Sequence, residues 1–252
     1  MNSFKLWFSP FRLKMFFSHL GISLLIASFS LYWVFFIWHP YPLATAVGVT
    51  DIFLMMLIID TILGPLLTLV IADQAKRSFK FDLGVIALIQ ISALVYGMYS
   101  IAQSRPVWIV FDQIRFDLVQ ARDIPTAAIQ QAEQPYDHLS WLKPDWTATK
   151  LARDAKERSD RLFQELDTGV APSMQPNLYQ PLRQHLTEVV DHAMPLQQLY
   201  RFNAKYEVDQ VLKQNQSASA WLPLKASNMD MVVLIKKQPT EIIKIVNLRP
   251  WK

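Results

Sequence analysis

Phe16 to Trp38 is a run of 23 residues without an Asp, Glu, Lys or Arg. A helix of that length reaches roughly 34 Å, slightly more than the hydrocarbon thickness of a bilayer. Ile52 to Ala72 adds 21 residues with one charge, Asp60, and Leu83 to Ile101 adds 19 with none. In lipid every backbone polar group must be satisfied inside its own segment, so all three runs are predicted as transmembrane helices, over 16–38, 52–72 and 83–101. The charges agree with this division. Of 25 basic and 21 acidic side chains in the chain, only six and four precede residue 102. A membrane domain, 1–101, is therefore followed by a soluble domain, 102–252.

Short loops set the orientation. Lys5, Arg12 and Lys14 precede the first span, and Lys76, Arg77 and Lys80 separate the second from the third. Between His39 and Asp51 there is no Lys or Arg. The positive-inside rule then predicts a cytoplasmic N-terminus and second loop, with the first loop and the C-terminal domain outside. Trp33, Trp38, Tyr41, Tyr96 and Tyr99 supply an aromatic belt at the outer ends. Cleavage of the first span after Ala44-Thr45-Ala46 is the competing reading. Its apolar run is longer than a signal peptide's, and Pro40 and Pro42 intervene.

Residues 102–252 predict an α+β domain with an antiparallel sheet. Val107 to Phe111 and Ile114 to Val119 are β-branched and aromatic runs with a tight connection. Thr147 is read as the N-cap of a helix to Asp167, stopped by Gly169 and followed by a polar linker with Pro172 and Pro176. Residues 182–192 and 203–214 have helical patterns, the latter with Asn203 as its cap. Met231 to Ile235 and Glu241 to Val246 form a hairpin signature. A lone hairpin is marginal in water, so the first and last strand pairs are expected in one sheet.

Chemistry is sparse. With no cysteine, disulfides, thiolate metal sites and cysteine nucleophiles are excluded. The net charge is +4, and 19 basic against 17 acidic groups after residue 101 leave no basic stripe for nucleic acid. His185, Glu188 and His192 share a helical face but match no ligand motif, and are read as an exposed polar surface. Asp154, Glu157, Arg158, Asp160 and Arg161 alternate in sign like a solvated helix face. Six scattered glycines make no phosphate cradle, and the serine-nucleophile elbow is absent. No cofactor, metal or small-molecule substrate is indicated, and the chain reads as a membrane-anchored binding module rather than an enzyme.

Asp60 stands out because an ionisable group near the bilayer centre is costly and needs a partner. That partner is either a neighbouring helix of the same chain, for example through Gln90, or another molecule. Gly64 and Pro65 follow at once. Proline removes a backbone donor and a small residue admits a close neighbour. Asp60, Gly64 and Pro65 are the candidate contact or packing residues.

A resemblance goes further. Thr50-Asp51-Ile52-Phe53-Leu54, Leu63-Gly64-Pro65-Leu66-Leu67-Thr68-Leu69 and Lys80-Phe81-Asp82-Leu83 lie in the membrane part. Gln103-Ser104-Arg105-Pro106-Val107-Trp108-Ile109-Val110-Phe111, Arg115-Phe116-Asp117-Leu118-Val119 and Asn247-Leu248-Arg249-Pro250-Trp251 follow in order. With these runs the chain resembles the TfpX/TfpZ type IV pilin accessory proteins of Gram-negative bacteria, most strongly over 48–125 and the last twenty residues. The resemblance implies a chaperone-like protein of the inner membrane with a periplasmic C-terminal domain. It would bind and stabilise a major pilin, through the pilin's membrane helix and its head, and support pilus assembly. It implies no catalytic residue. The alternative is a membrane-anchored sensor, which would need a separate cytoplasmic partner because the inner loops are short.

Overall fold

Ser9 accepts a hydrogen bond from the Arg12 amide and Pro10 occupies the first turn, which together start helix α1, Pro10–Tyr32. The computed structural model describes residues 9–252; Lys5, one of the basic residues used for orientation, lies outside them. A π-helical turn, Trp33–Trp38, continues α1, and a short helix α2, Leu43–Val47, follows. Gly48, at φ 74°, ends α2 in the left-handed conformation that favours glycine. Helices α3, Val49–Ile71, and α4, Phe79–Gln103, come next. The stretches Pro10–Trp38, Val49–Ile71 and Phe79–Gln103 are each long and apolar enough to cross a membrane.

Two compact units result. A helical unit runs to Ile37 and resumes over Val49–Ala102; a sheet unit combines Trp38–Gly48 with Gln103–Lys252. The first interhelical loop therefore belongs with the C-terminal domain, although the sequence grouped it with the spans.

In the sheet unit, β1 (Pro106–Asp112) and β2 (Arg115–Gln120) form the predicted hairpin. Helix α5 (Thr126–Gln130), strand β3 (Asp145–Thr149), helix α6 (Ala155–Thr168) and strand β4 (Tyr179–Pro181) follow. Then come α7 (Leu186–His192), the two-residue β5 (Met194–Pro195) and α8 (Lys205–Gln214). The chain ends on β6 (Ala220–Lys225), β7 (Met231–Lys237) and β8 (Thr240–Val246). The strand order is β4-β3-β1-β2-β6-β7-β8, with β5 on β6. The first and last strand pairs do share one sheet, but β6 lies between them.

The sheet is mixed instead of purely antiparallel. Short connections make β1–β2, β6–β7 and β7–β8 antiparallel. The β1–β3 and β2–β6 joins are parallel, because long intervening segments return those strands in the same direction. One apolar cluster contains Val107, Trp108, Val110, Val119 and Tyr179; a second contains Leu199, Val208, Trp221, Val232, Leu234 and Leu248.

Three local expectations are corrected. Thr147 is in a strand, not at a helix start: its buried hydroxyl donates to the Gln180 carbonyl across β3–β4, while Asp154 caps α6 by accepting from the Glu157 amide at 2.8 Å. Asn203 does not cap α8. Its Oδ1 accepts from the Arg249 amide and its Nδ2 donates to the Leu199 and Arg249 carbonyls, tying the C-terminal segment down. The stretch through Pro172 and Pro176 is no exposed linker: both prolines are buried, as is Ser173. Gly169 does end α6, at φ 72°.

Candidate functional site

The helical unit gathers its polar side chains in one place. His19 on α1 and the buried Thr68 on α3 are hydrogen-bonded, Nδ1 to Oγ1 at 2.7 Å. Gln90 on α4 donates from Nε2 to the Asp60 carbonyl oxygen at 2.9 Å. A Cβ on Gly64 would overlap the Gln90 amide, so glycine is what admits that side chain. Pro65 is buried one residue later and offers no N–H to the Thr61 carbonyl four residues before it. Arg12 Nε donates to the Ala72 carbonyl at 2.7 Å, satisfying an acceptor at the end of α3.

Of the three predicted site residues, Gly64 and Pro65 are thus buried against the neighbouring helices, and Asp60 is half-buried beside them. Gln90 meets the main chain of Asp60, not its carboxyl group. Asp60 Oδ2 is screened from solvent and has no hydrogen-bond partner among the described residues, whereas the Gln90 side chain also faces that of His19. Asp60 and Gln90 line a recess of about 140 Å³ with His19, Ser23, Leu57 and Leu94. The Asp60 carboxyl group, facing this small apolar recess, suits a hydrogen-bond donor beyond the described residues. A carboxyl group at the centre of a membrane helix costs about 2.5–3.5 kcal/mol, so such a donor is worth having.

In the sheet unit, one end of the sheet holds the first loop. The Asn228 and Met229 amides both donate to the Ala46 carbonyl at 3.0 Å, and Asn228 Nδ2 donates to the Thr45 carbonyl at 3.1 Å. A Cβ on Gly48 would come within 2.9 Å of the Asn228 side chain. The turn that receives the loop is itself braced. Asp230 accepts from the Ala226 amide and from Trp251 Nε1, each at 2.8 Å, and the Arg249 guanidinium donates to its carbonyl. Burial holds the Arg249 pKa below its ordinary value. At the same end Gln120 Nε2 reaches Ser227, and Arg105 Nε donates to the Ser140 carbonyl. Because α3 and α4 separate the loop from the tail, this contact requires an even number of crossings between them.

The opposite end carries a second polar set. Asp117 accepts from Arg115 Nε and from the buried Ser173 hydroxyl, both at 2.8 Å. Thr149 donates to Asp112 at 2.9 Å, and the Tyr179 hydroxyl to the Ser173 carbonyl. Burial raises the Asp112 carboxyl above the usual range, against the Thr149 bond that lowers it. These bonds are closed on one another.

His185, Glu188 and His192 are not one exposed face. His185 is buried against Gln180, 3.2 Å from its side-chain oxygen, whereas His192 turns to the Glu188 carbonyl. On α6, Glu157 sits between Arg153 and Arg161, and the Arg153 hydrogen bond above all lowers its pKa to about 2. Sequence reasoning missed the parts played by Asn228 and Asp230; Arg105 entered only within the Gln103–Phe111 run.

Fimbrial assembly protein FimB is the family that matches, over residues 4–48. The "Fimbrial assembly protein, serogroup I" of Dichelobacter nodosus is 32% identical over 235 residues, 87% of this chain and 88% of that protein. The serogroup E1 protein of the same organism is 29% identical over 216 residues, 81% of this chain and 82% of its own. The protein of serogroups C1 and C2 is 34% identical over 116 residues, 45% of this chain and 88% of its own. No solved structure matches.

Proposed function

The chain belongs to the family of fimbrial assembly proteins, and from that premise we propose that it binds and stabilises a type IV major pilin at the bacterial inner membrane before or during pilus assembly. On this reading the N-terminus is cytoplasmic, the sheet unit is periplasmic, and no catalytic step is involved. The observation that carries it is Asp60 Oδ2, without a hydrogen-bond partner among the described residues and facing an apolar recess among helices suited to a membrane. A pilin subunit brings an apolar helix into the same bilayer, so one donor on that helix would satisfy Asp60. Thr61, a small residue of α3 in the same recess, favours close approach of helices in lipid. The sheet unit, on the side that carries the first loop, is available to the pilin's head.

The test is recovery of pilin with the tagged full-length protein from detergent-solubilised membranes. An interhelical hydrogen bond in lipid is worth about 1–2 kcal/mol, so Asp60→Leu should lower the pilin recovered roughly tenfold while the protein accumulates normally. Gly64→Ala displaces Gln90 and should weaken the same recovery. Loss of the protein itself in Asp60→Leu would assign Asp60 to internal packing. Undiminished pilin levels and piliation in cells lacking the whole chain would remove the proposal.

A further inference from the structure

A short turn in the sheet unit presents two large apolar side chains at the place where the chain leaves its helices. Trp141 is 65% exposed and Leu142 58%. Neither belongs to the apolar clusters of the unit. Lys143, next in sequence, is exposed too.

The turn is built, not loose. The Ser140 hydroxyl donates to the Lys143 carbonyl at 2.8 Å and accepts weakly from the Leu142 amide, closing the loop on itself. It is also pinned to the segments that continue the first and third apolar helices. Trp38 Nε1, at the last residue of the first, donates to the Trp141 carbonyl at 3.0 Å. Arg105, two residues beyond the third, is buried, donates to the Ser140 carbonyl and lies 4.3 Å over the Trp141 ring.

We propose that the 140–143 turn is a membrane-interface anchor, with Trp141 and Leu142 inserted among the lipid headgroups on the side that bears the sheet unit. Three observations fix the occupant as lipid. Both pinning residues are within two positions of a helix end that meets the bilayer surface, so the turn is continuous with that interface. Trp has an apolar body and a polar tip, and is the side chain enriched at headgroup depth. Lys143 adds a cation suited to anionic headgroups. Apolar side chains of this kind lie about 5–10 Å deep, at the boundary between headgroups and acyl chains. The inference depends on the spans being in a bilayer but not on the identity of any protein partner.

The chain has no cysteine, so one introduced cysteine carries one fluorophore. Full-length Leu142→Cys, labelled with a polarity-sensitive dye, is reconstituted in vesicles of phosphatidylethanolamine and phosphatidylglycerol. Glu241→Cys is the reference: it is exposed and lies at the far end of β7–β8, about 20 Å from the turn that holds the first loop. The label at 142 should show a several-fold smaller iodide quenching constant than the label at 241, and strong quenching by lipid carrying a headgroup-proximal doxyl group. Equal iodide quenching at both sites would overturn the proposal. Protection at 142 only after co-reconstitution with a pilin subunit would overturn it as well, and reassign the turn to protein docking. Should Leu142→Cys not fold, Lys143→Cys reports on the same turn.

Discussion

Asp112 sits at the far end of β1, where burial raises its carboxyl group above the ordinary range. A carboxylate with a raised folded-state pKa stabilises the fold only while protonated. That contribution is complete below about pH 4, the unfolded value, and is lost as pH rises through the folded one. Asp112→Asn keeps an acceptor for Thr149 and removes the charge. The variant should melt higher than the parent at pH 7, with the gap closing as pH falls to about 4. A variant less stable than the parent at pH 7 would show that ionised Asp112 is needed, for example by Arg115. At this scale the sequence was legible where one physical demand dominated. Asp60 announced itself because lipid tolerates few charges, and Gly64-Pro65 because both restrict helix packing. Thr147 and Asn203 misled for the opposite reason. A threonine or asparagine that fits a helix cap also fits a cross-strand or tail-anchoring bond, and only the three-dimensional neighbours, Gln180 and Arg249, decide.

Strand β6 shows what periodicity could not reveal among the elements. It holds Pro223 at its middle, a residue that normally argues against a central strand. The proline lies where the neighbour on one side changes from β5, opposite Ala220 and Trp221, to β2, opposite Leu224 and Lys225. Helix α6 was legible only in part, since its apolar residues Leu162, Phe163 and Leu166 are exposed and the helix buries nothing fully. The hairpins at both ends of the domain were easier, because dense β-branched runs with tight turns have few other solutions. Strand β8 is an edge, yet it is no ornament: Val246 and Leu248 are in the second apolar cluster and Arg249 holds the Asp230 turn. Deleting 241–252 should therefore unfold the sheet unit and not fray a tail, which limited proteolysis of the full protein in detergent reads directly. Full protease resistance of the remainder would refute the role given to that strand.

For the whole molecule, three apolar helices and a first loop bonded to the tail leave two orientations, mirror images across the bilayer. The proposed orientation rests on the basic residues: Arg12, Lys14, Lys76, Arg77 and Lys80 flank one set of helix ends, and no Lys or Arg lies between His39 and Asp51. Alkaline phosphatase joined after Gln103 or at Lys252 should be active, and joined after Lys80 inactive. The reverse pattern would invert the proposed localisation while leaving the fold intact.

The bond between Asn228 and Thr45 joins residues 183 positions apart. In a free coil, closing a ring of that size costs about 5 kcal/mol of chain entropy. Helices α3 and α4 and strands β1 to β6 lie inside the ring. The first loop is therefore synthesised 183 residues before the Asn228 side chain that holds it. Trp251 then bonds to Asp230, beside Asn228 in the same turn. A chain stopped before Asn228 would have its three apolar helices made and its first loop unclaimed.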